Sequence, residues 1–338
     1  MIKVTLELSV ESGYEQNQIQ FDFIGKLQGG TVETAFIVNP KSGNGSTGRE
    51  WPMLRDQAFS KLGPFRESFS ERQGHAAVLT RENLRRGIKR IICVGGDGTL
   101  NEVVNGFMDE NQCIAPDAVL GFLPNGTGCD FARSLHLGRG INDTIETIAT
   151  GHIKSLDLGR LRYSDDNGVS LIRYFHNIAS FGIGGEVVER VNRTSKAAGP
   201  FLSFMWATLI TILAYEKKEI RLQIDDSFVE TFSTWNIAVA NGRYHGGGML
   251  VAPDARIDDG LFHVTLIGNL DLVSVFRHLP KLYNGRINEV PQIRTMTGSH
   301  VKVTSVGRVL MDVDGEQVGT LPVEADIIPE AIRMIVKE

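Results

Sequence analysis

Cysteines are few in this 338-residue sequence, and none stands at the spacing of a redox or metal-binding motif. The three of them, Cys93, Cys113 and Cys129, form no CxxC pair, which argues against a disulfide framework and favours a reducing compartment. Excess positive charge is also missing, because the net charge is −5, so the overall charge does not attract nucleic acid. The first ten residues, MIKVTLELSV, lack the pattern of a secretion signal. These absences predict a cytoplasmic protein with no nucleic-acid partner.

An uninterrupted apolar run of membrane-spanning length is absent too. Between Ala197 and Tyr215 the chain has nineteen residues without a charge, close to the ~20 that cross a bilayer. Gly199 and Pro200 interrupt its start, so we predict a helix that begins near Pro200 and packs against a sheet, with no transmembrane segment. A helix whose apolar face meets a lipid surface is the alternative, and the protein would then be peripheral to the membrane.

The order of apolar and polar segments predicts two domains. From Thr34 to about Asp157, short apolar strands alternate with amphipathic helices, a pattern typical of a doubly wound, mostly parallel α/β sheet. From 158 to 338 long β-rich stretches predict a largely antiparallel domain with flanking helices, and its C-terminal end could return to the first domain. Residues 1–33 form an N-terminal extension to which we assign no role. The predicted helices cover 49–62, 75–87, 100–108, 184–195, 200–217 and 271–284.

The stretch VGGDGTLNE, from Val94 to Glu102, follows an apolar strand and combines three glycines with one aspartate. Glycines let a backbone approach a ligand closely, and Thr99 with Glu102 reads as a capping box that starts a helix at Leu100. Free N–H groups at a helix start form a phosphate site. The carboxylate of Asp97 would repel a phosphate, so its presence beside a phosphate site needs a reason. It could act through Mg²⁺, or it could take a proton from an acceptor hydroxyl. A tight turn with a capping aspartate is the structural alternative.

Two common phosphate-binding motifs do not fit. The dinucleotide fingerprint GxGxxG is absent, because GGDGT has a different spacing. The sequence GNGSTGRE, from Gly43 to Glu50, keeps the glycine spacing of a Walker A loop but has Arg49 and Glu50 where that motif needs lysine and a hydroxyl. Neither a Rossmann dinucleotide site nor a P-loop is therefore expected.

Two further glycine-rich loops also follow predicted strands. NPKSGNG, Asn39 to Gly45, lies after the first strand, and LPNGTGCDFAR, Leu123 to Arg133, lies after the fourth. Because carboxyl ends of parallel strands meet at one sheet edge, we expect these loops to join the GGDGT loop around one ligand. Thr127 could contact that ligand, and Asp130 could cap a helix or hold a water on a metal.

These segments together resemble the diacylglycerol kinase catalytic-domain superfamily, which includes sphingoid-base kinases and bacterial soluble lipid kinases. The resemblance runs from about Thr34 to the C-terminus and excludes residues 1–33. Cys129 departs from it, because the family usually has Asn there. The matching motifs are NPKSGNG, GGDGTLNEVVNG, PNGTGCDFAR, NIASFGIGGEVV (177–188), NGRYHGGGMLVAPDARIDDGLFHV (241–264) and DGE (314–316).

The resemblance implies a two-domain kinase that uses ATP and Mg²⁺. A structural Mg²⁺ loop is implied around Asp259, with the backbone carbonyls of Arg256 and Leu261 as further ligands. The implied catalytic carboxylates are Glu316, Asp314 and Asp97, and we favour Glu316 as the proton acceptor without separating it from the other two. The implied ATP contacts are Asn39, Pro40, Lys41, Ser42, Gly43, Ser70, Gly95, Gly96, Asp97, Gly98, Thr99, Leu100, Asn101 and Thr127.

The implied substrate is a lipid alcohol, such as diacylglycerol, taken from a membrane surface, which points to lipid metabolism. Its chain would lie near the predicted helix at Phe201–Leu213. Two other functions remain open from the residues alone: a kinase of a soluble alcohol, such as an NAD kinase-like enzyme or a polyol or nucleoside kinase, and a nucleotide-binding protein without turnover. Formation of a homodimer is also left open.

Overall fold

The computed structural model describes residues 33–337 apart from 127, 138–139, 166 and 194–199. Nearly all of the N-terminal extension predicted over 1–33 therefore lies outside the described residues. The described part of the chain folds into eight helices and twenty strands, most of them in a ten-stranded and a six-stranded sheet.

The N-terminal half alternates strands with helices as the sequence predicts. Its strands run parallel in the order β2-β1-β3-β6. Apolar side chains of helices pack on both faces of this sheet, so the sheet is doubly wound. The elements are β1 (Thr34–Val38), α1 (Ser42–Leu62), β2 (Arg66–Phe69), α2 (His75–Arg85), β3 (Arg90–Gly95), α3 (Asp97–Phe107), β4 (Met108–Asp109), β5 (Gln112–Cys113), β6 (Val119–Pro124), α4 (Asp130–Ser134) and α5 (Ile141–Thr150).

The C-terminal half is β-rich, and its strands pair with one another in antiparallel fashion, as predicted. Its elements are β7 (His152–Ser164), β8 (Ser170–Phe175), β9 (Ile178–Gly182), α6 (Ile183–Arg193), α7 (Pro200–Ala214), β10 (Lys218–Ile224), β11 (Phe228–Thr234), β12 (Asn236–Ala240), β13 (Tyr244–His245), β14 (Met249–Leu250), β15 (Phe262–Ile267), α8 (Leu272–Asn284), β16 (Ile293–Gly298), β17 (His300–Ser305), β18 (Leu310–Val313), β19 (Glu316–Thr320) and β20 (Val323–Val336).

The long strand β20 connects the two halves. It pairs antiparallel with β7 and β17, and near its end it pairs parallel with β6 of the first half. The ten-stranded sheet is therefore continuous across both halves. Its second-half portion packs against the six-stranded sheet β16-β15-β12-β9-β18-β19, and the buried apolar side chains between them form a β-sandwich core.

Two helix starts differ from the prediction by three residues or more. Helix α3 begins at Asp97, not Leu100, because Glu102 does not reach back to cap it. The Glu102 carboxylate accepts hydrogen bonds from the backbone N–H groups of Gly74 and Ala76 at the start of α2. Helix α1 begins at Ser42, not Arg49, and positive φ angles at Gly43–Gly45 bend its first turn.

Helix α7 lies where a helix was predicted near Pro200. Ala207 and Ile212 are buried, whereas Trp206 and Leu213 are exposed by 61% and 59%, so the helix packs on one side and faces solvent on the other. Among the residues that the structure describes, no helix combines the length and the apolar character needed to cross a membrane.

Candidate active site

A cleft of about 430 Å³ lies at the carboxyl ends of the parallel strands. The loops after β1, β2, β3 and β6 form its walls, which is the edge where open α/β sheets bind ligands. Glu316 reaches this cleft from the second half of the chain. Of the residues predicted to contact ATP or to take part in catalysis, those that line the cleft are Asn39, Lys41, Ser42, Gly43, Ser70, Gly96, Gly98, Thr99 and Glu316.

Gly126 in the cleft is required by a close backbone contact. A Cβ atom at Gly126 would lie 2.6 Å from the Cα of Gly96, so the loops after β3 and β6 touch at a point where no side chain fits. Helix α3 starts directly beside this contact, and the first N–H groups of a helix have no partner within it. The arrangement leaves backbone donors and the positive end of a helix dipole facing an open cleft.

Side-chain hydrogen bonds join the three glycine-rich loops. The Asn39 amide donates to the Thr99 hydroxyl at 2.9 Å, which ties the loop after β1 to α3. The Ser42 hydroxyl donates to the backbone carbonyl of Asn125 at 2.9 Å, which ties the first loop to the third. The predicted gathering of these loops at one sheet edge is what the structure shows.

Glu316 stands at the start of β19 and points into the cleft over α3. Its Oε1 atom would lie 3.2 Å from a Cβ added at Gly98. The Arg173 guanidinium donates to Oε2 at 2.6 Å, and the Gln73 amide donates to the same oxygen at 3.3 Å. The side chain is about one-fifth exposed. A carboxylate is thus fixed at the helix N-terminus while one of its oxygens stays accessible.

Asp314 is only two residues away but is buried elsewhere. Its carboxylate accepts hydrogen bonds from the backbone N–H groups of His176, Asn177 and Ile178 and from the Asn101 amide. Burial alone would raise its pKa, but His176 and these donors hold the pKa of Asp314 below its ordinary value. Positive φ angles at Asp314 and Gly315 send the two side chains in different directions.

Asp97 is also not part of the lining of the cleft. Its carboxylate accepts hydrogen bonds from the backbone N–H groups of Asp130 and Phe131, at the start of α4. Burial, and then the charge of Asp130, raise the pKa of Asp97 above its ordinary value. The Asp130 carboxylate accepts a hydrogen bond from the N–H of Gly247. Two carboxylates therefore lie close together behind the GGDGT loop.

Several other predicted ATP contacts do not line the cleft. Leu100 is a core residue, and Asn101 is fully buried, where its amide donates to Tyr174 and Asp314. Gly95 is the last residue of β3, and the Pro40 carbonyl accepts the N–H of Gly48. Thr127 lies outside the described residues.

The predicted Mg²⁺ loop is a turn in which several acidic side chains lie close together. Asp259 accepts the N–H of Leu261 and lies 3.1 Å from the His263 imidazole, and Arg256 pairs with Asp258. Burial, and to a smaller degree the nearby carboxylates of Asp259 and Asp258, raise the pKa of Asp157. Within the described ranges no three acidic, histidine or cysteine side chains converge on one point. A cation here would therefore need backbone carbonyls, as the prediction states.

Two functional neighbours of Glu316 were missed by sequence reasoning. Arg173 bridges Glu316 and the side-chain oxygen of Asn101, and Gln73 reaches Glu316 from the loop after β2. A signal for Arg173 does exist, because it is a charged residue inside the apolar strand sequence LIRYF. Gln73 stands in a polar loop that carries no such signal.

A second, apolar cavity of about 160 Å³ lies on the outer face of the six-stranded sheet. Helices α6, α7 and α8 cover it, and Val187, Ile212 and Leu282 are among its walls. Its polar lining includes the His245 imidazole, which lies 2.8 Å from the buried Asp312 carboxylate. Burial disfavours the charged imidazole, but Asp312 raises the pKa of His245 to about 9.

The sequence matches two family models. Residues 33–161 match the diacylglycerol kinase catalytic domain, and residues 177–336 match the YegS C-terminal NAD kinase beta sandwich-like domain. The chain belongs to the diacylglycerol kinase catalytic-domain superfamily, a family of kinases, as its motifs predicted.

Relatives span most of the chain at moderate identity. A diacylglycerol kinase of Staphylococcus saprophyticus is 29% identical over 289 residues, which cover 85% of this chain and 89% of that protein. A Yersinia pestis protein named "Probable lipid kinase YegS-like" is 27% identical over 305 residues, or 89% of this chain and 95% of that one. The crystal structure of a diacylglycerol kinase from Bacillus anthracis has the same fold, with a TM-score of 0.67 at 20% identity over 90% of this chain and 97% of that chain.

Proposed function

We propose that the protein is an ATP- and Mg²⁺-dependent lipid kinase that phosphorylates a primary hydroxyl of a lipid alcohol such as diacylglycerol. One observation carries the proposal: Glu316 projects from the second half of the chain over the N-terminus of α3. A proton acceptor and a phosphate-binding helix start therefore face the same cleft. That is the pairing which transfer of a phosphoryl group to an alcohol needs.

The residues of the cleft fit the triphosphate of ATP. The contact between Gly96 and Gly126 leaves backbone N–H groups accessible where a Cβ would block them. The first turn of α3 adds unpaired donors and a favourable dipole. Lys41 lies at the rim, where its ammonium group donates to the Glu71 carbonyl. Backbone amides and the helix dipole would thus bind the phosphates, and one nearby cation would reinforce them.

The Asp97 and Asp130 pair fits a role near Mg²⁺. A Cβ at Gly128 would lie 3.3 Å from Asp97 Oδ2 and 3.9 Å from Asp130 Oδ2, so both carboxylates border one small space. The Oδ1 atom of Asp130 is buried and makes no hydrogen bond, and it lies 3.4 Å from Nε of Arg133. Hard oxygen ligands suit this metal. We propose that the pair positions the metal, directly or through water, and that Asp97 is not the base.

Glu316 is the proposed proton acceptor in the reaction. When bound, ATP supplies the γ-phosphoryl group and Mg²⁺ offsets its charge. Arg173 and Gln73 hold one carboxylate oxygen of Glu316. This leaves Oε1 to accept the proton as the alcohol oxygen bonds to the γ-phosphorus and the bond from that phosphorus to the leaving ADP breaks. Asp314 is proposed as a positioning residue, because its hydrogen bonds fix the turn that carries Glu316.

The apolar cavity under α6, α7 and α8 supports a lipid rather than a soluble acceptor. Its walls are almost entirely apolar, and burial of an acyl chain contributes ~0.8 kcal/mol per CH₂ group. A sugar or nucleoside would leave its hydroxyls unpaired against such walls. The acyl chain of the lipid is therefore proposed to lie in this cavity, beside α7, which is the helix that the sequence predicted at Phe201–Leu213.

The decisive experiment is a transfer assay with labelled ATP. Purified protein is incubated with Mg²⁺ and a panel of acceptors: diacylglycerol and other lipid alcohols in mixed micelles, and soluble polyols, nucleosides and NAD. We expect label in a lipid product. Label only in a soluble alcohol would replace the proposal by the first alternative, and nucleotide binding without any transfer would replace it by the second.

The substitution Gly96→Val should weaken ATP binding by about tenfold or more. The backbone at Gly96, with φ −97° and ψ −173°, is one that valine adopts readily, so the fold should persist while the branched side chain fills the phosphate cleft. Titration calorimetry with a non-hydrolysable ATP analogue measures the loss. Gly307→Val is the matched control, because nothing lies within 4 Å of a Cβ at Gly307. Parental affinity in a folded Gly96→Val protein would contradict the phosphate site.

The substitution Asp259→Asn tests the second metal loop. If Asp259 binds a structural Mg²⁺, the variant should melt at a lower temperature and gain less stability from added Mg²⁺, because binding to the native state stabilises it by mass action. Thermal melts over a range of Mg²⁺ concentrations measure this. Asp258→Asn is the control from the same loop, since Asp258 pairs with Lys154 and Arg256. Equal Mg²⁺ dependence in parent and Asp259→Asn would show a plain turn.

A further inference from the structure

Two helices of the second half present large apolar side chains to solvent. Helix α8 has no buried residue, and Val273 is 78% exposed. On α7, Trp206 and Leu213 are exposed by 61% and 59%. Single exposed apolar residues are ordinary, but a contiguous group marks an interaction surface. We call this group the two-helix patch; its members are Trp206, Leu209, Leu213, Leu272, Val273, Phe276 and Tyr283.

The two-helix patch is continuous with the apolar cavity. On α8 the side chains of Val275, Leu279 and Leu282 line the cavity, and Phe276 and Tyr283 each follow one of these residues, about 100° further around the helix. On α7 the same relation holds between Ile212 in the wall and Leu213 outside. On each of the two helices, exposed apolar side chains therefore adjoin those that line the cavity.

The charges on these helices are of one sign. Neither Pro200–Ala214 nor Leu272–Asn284 contains Asp or Glu, whereas α8 carries Arg277 and Lys281. Lys281 is paired with Glu289 at 3.2 Å, so Arg277 contributes most of the positive charge on this face. The chain as a whole has a net charge of −5, so this face differs from the rest of the protein. Basic residues beside an apolar helix face complement anionic lipid headgroups. Tryptophan and tyrosine, here Trp206 and Tyr283, are the residues that favour the membrane–water boundary.

A second copy of the chain fits this face less well. A two-fold interface would bring the same patch, with the same basic residues, against itself. It would also leave the cavity under α7 and α8 without a group to fill it, whereas acyl chains of a bilayer can enter it. The charge and the cavity therefore favour a lipid surface over a protein partner.

We propose that the two-helix patch docks on the surface of an anionic bilayer, with the exposed side chains of α7 and α8 inserted at the headgroup level. The proposal rests on the proposed function, since docking there would bring the cavity to the lipid from which the acceptor is drawn. It adds a defined membrane-binding surface to that function.

Trp206 provides a direct test of docking. Trp51 and Trp235 are each only 5% exposed, so their emission should change little when the surface of the protein moves from water to lipid. The protein is mixed with vesicles of phosphatidylglycerol and phosphatidylcholine that contain no diacylglycerol. We expect a blue shift of tryptophan emission and co-sedimentation with vesicles.

The double substitution Val273→Ser and Phe276→Ser should weaken vesicle binding at least about tenfold, because it removes two inserted apolar side chains. Val306→Ser, at a fully exposed residue away from the patch, is the control and should bind like the parent.

The outcomes separate docking from catalysis. Transfer to a short-chain, monomeric acceptor without vesicles should persist in the double variant, which also shows that the variant is folded. Absence of parental binding to the vesicles, or equal binding by the double variant, would overturn the docking proposal whatever the kinase assay shows. A parental dimer that the same substitutions dissociate, with no vesicle binding, would assign the patch to a second copy. Failure of the transfer assay, with vesicle binding intact, would instead reject only the proposed function.

Discussion

Glu316→Gln is expected to lower kcat by about 10²-fold or more, the usual scale for loss of a general base. Glutamine keeps the volume and most hydrogen bonds of glutamate but removes the group that accepts the proton. Arg173 keeps a partner in the variant, since it also donates to Asn101 Oδ1 at 2.7 Å. ATP affinity should change little, because the phosphates are proposed to contact the backbone around Gly96 and Gly126.

Steady-state transfer kinetics, together with ATP binding by calorimetry, measure these two effects separately. Glu219→Gln, on an exposed position of β10, is the matched control and should turn over like the parent. If Glu316→Gln were active while Asp97→Asn was folded and inactive, the base would move to Asp97. If both turned over at the parental rate, the proposed chemistry of the cleft would be wrong.

Asp314→Asn is expected to destabilise the fold by about 3 kcal/mol or more, the scale for disrupting a buried, fully bonded charge. Both oxygens of Asp314 accept backbone N–H groups, at 3.0 to 3.1 Å from His176, Asn177 and Ile178. An asparagine must turn an NH₂ group toward donors on one side. Urea unfolding at pH 7 measures the loss, and Asp226→Asn at an exposed turn should stay within ~0.5 kcal/mol of the parent.

The same residue gives a defined pH dependence. Because the pKa of Asp314 is lowered in the folded state, its contribution is fully present above the unfolded value of ~3.9. It is lost as the pH falls below that value toward the folded pKa. The free energies of unfolding of parent and Asp314→Asn should therefore converge below about pH 4. A gap that stayed constant down to pH 3 would mean that the carboxylate charge does not contribute.

The sequence was sufficient for the strands of the parallel sheet and for three helices of the first half, because their signals are local; helix α5 (Ile141–Thr150) was not predicted. The apolar strand before Gly95 and the glycine loops after the strands each report on their own few residues, and parallel pairing then places the loops at one edge. Helix starts were less accurate for the same reason. Thr99 and Glu102 have the spacing of a capping box, but Glu102 binds the start of α2, a partner that local spacing does not reveal.

The active-site carboxylates show a second limit. Asp314 and Glu316 are only two residues apart in the sequence. Positive φ angles at Asp314 and Gly315 nevertheless direct their side chains to different places. Which side of the turn each side chain takes depends on donors far away in sequence, such as His176 and Arg173. Pattern reasoning identified the carboxylates that are proposed to carry the chemistry and could not divide the roles among them.

The path of β20 has a consequence for how the chain becomes a protein. β6 lies in the middle of the ten-stranded sheet only because residues near Arg333 and Met334 pair with Val119 and Leu120. During synthesis, that edge of β6 stays unpaired until more than half of the chain has been added after it. A fragment ending near residue 161 would keep the glycine loops but leave an apolar strand with one unpaired edge, the kind of edge that recruits other chains. The half that carries the glycine loops and the strand that completes its sheet are therefore one folding unit, although they lie at opposite ends of the sequence.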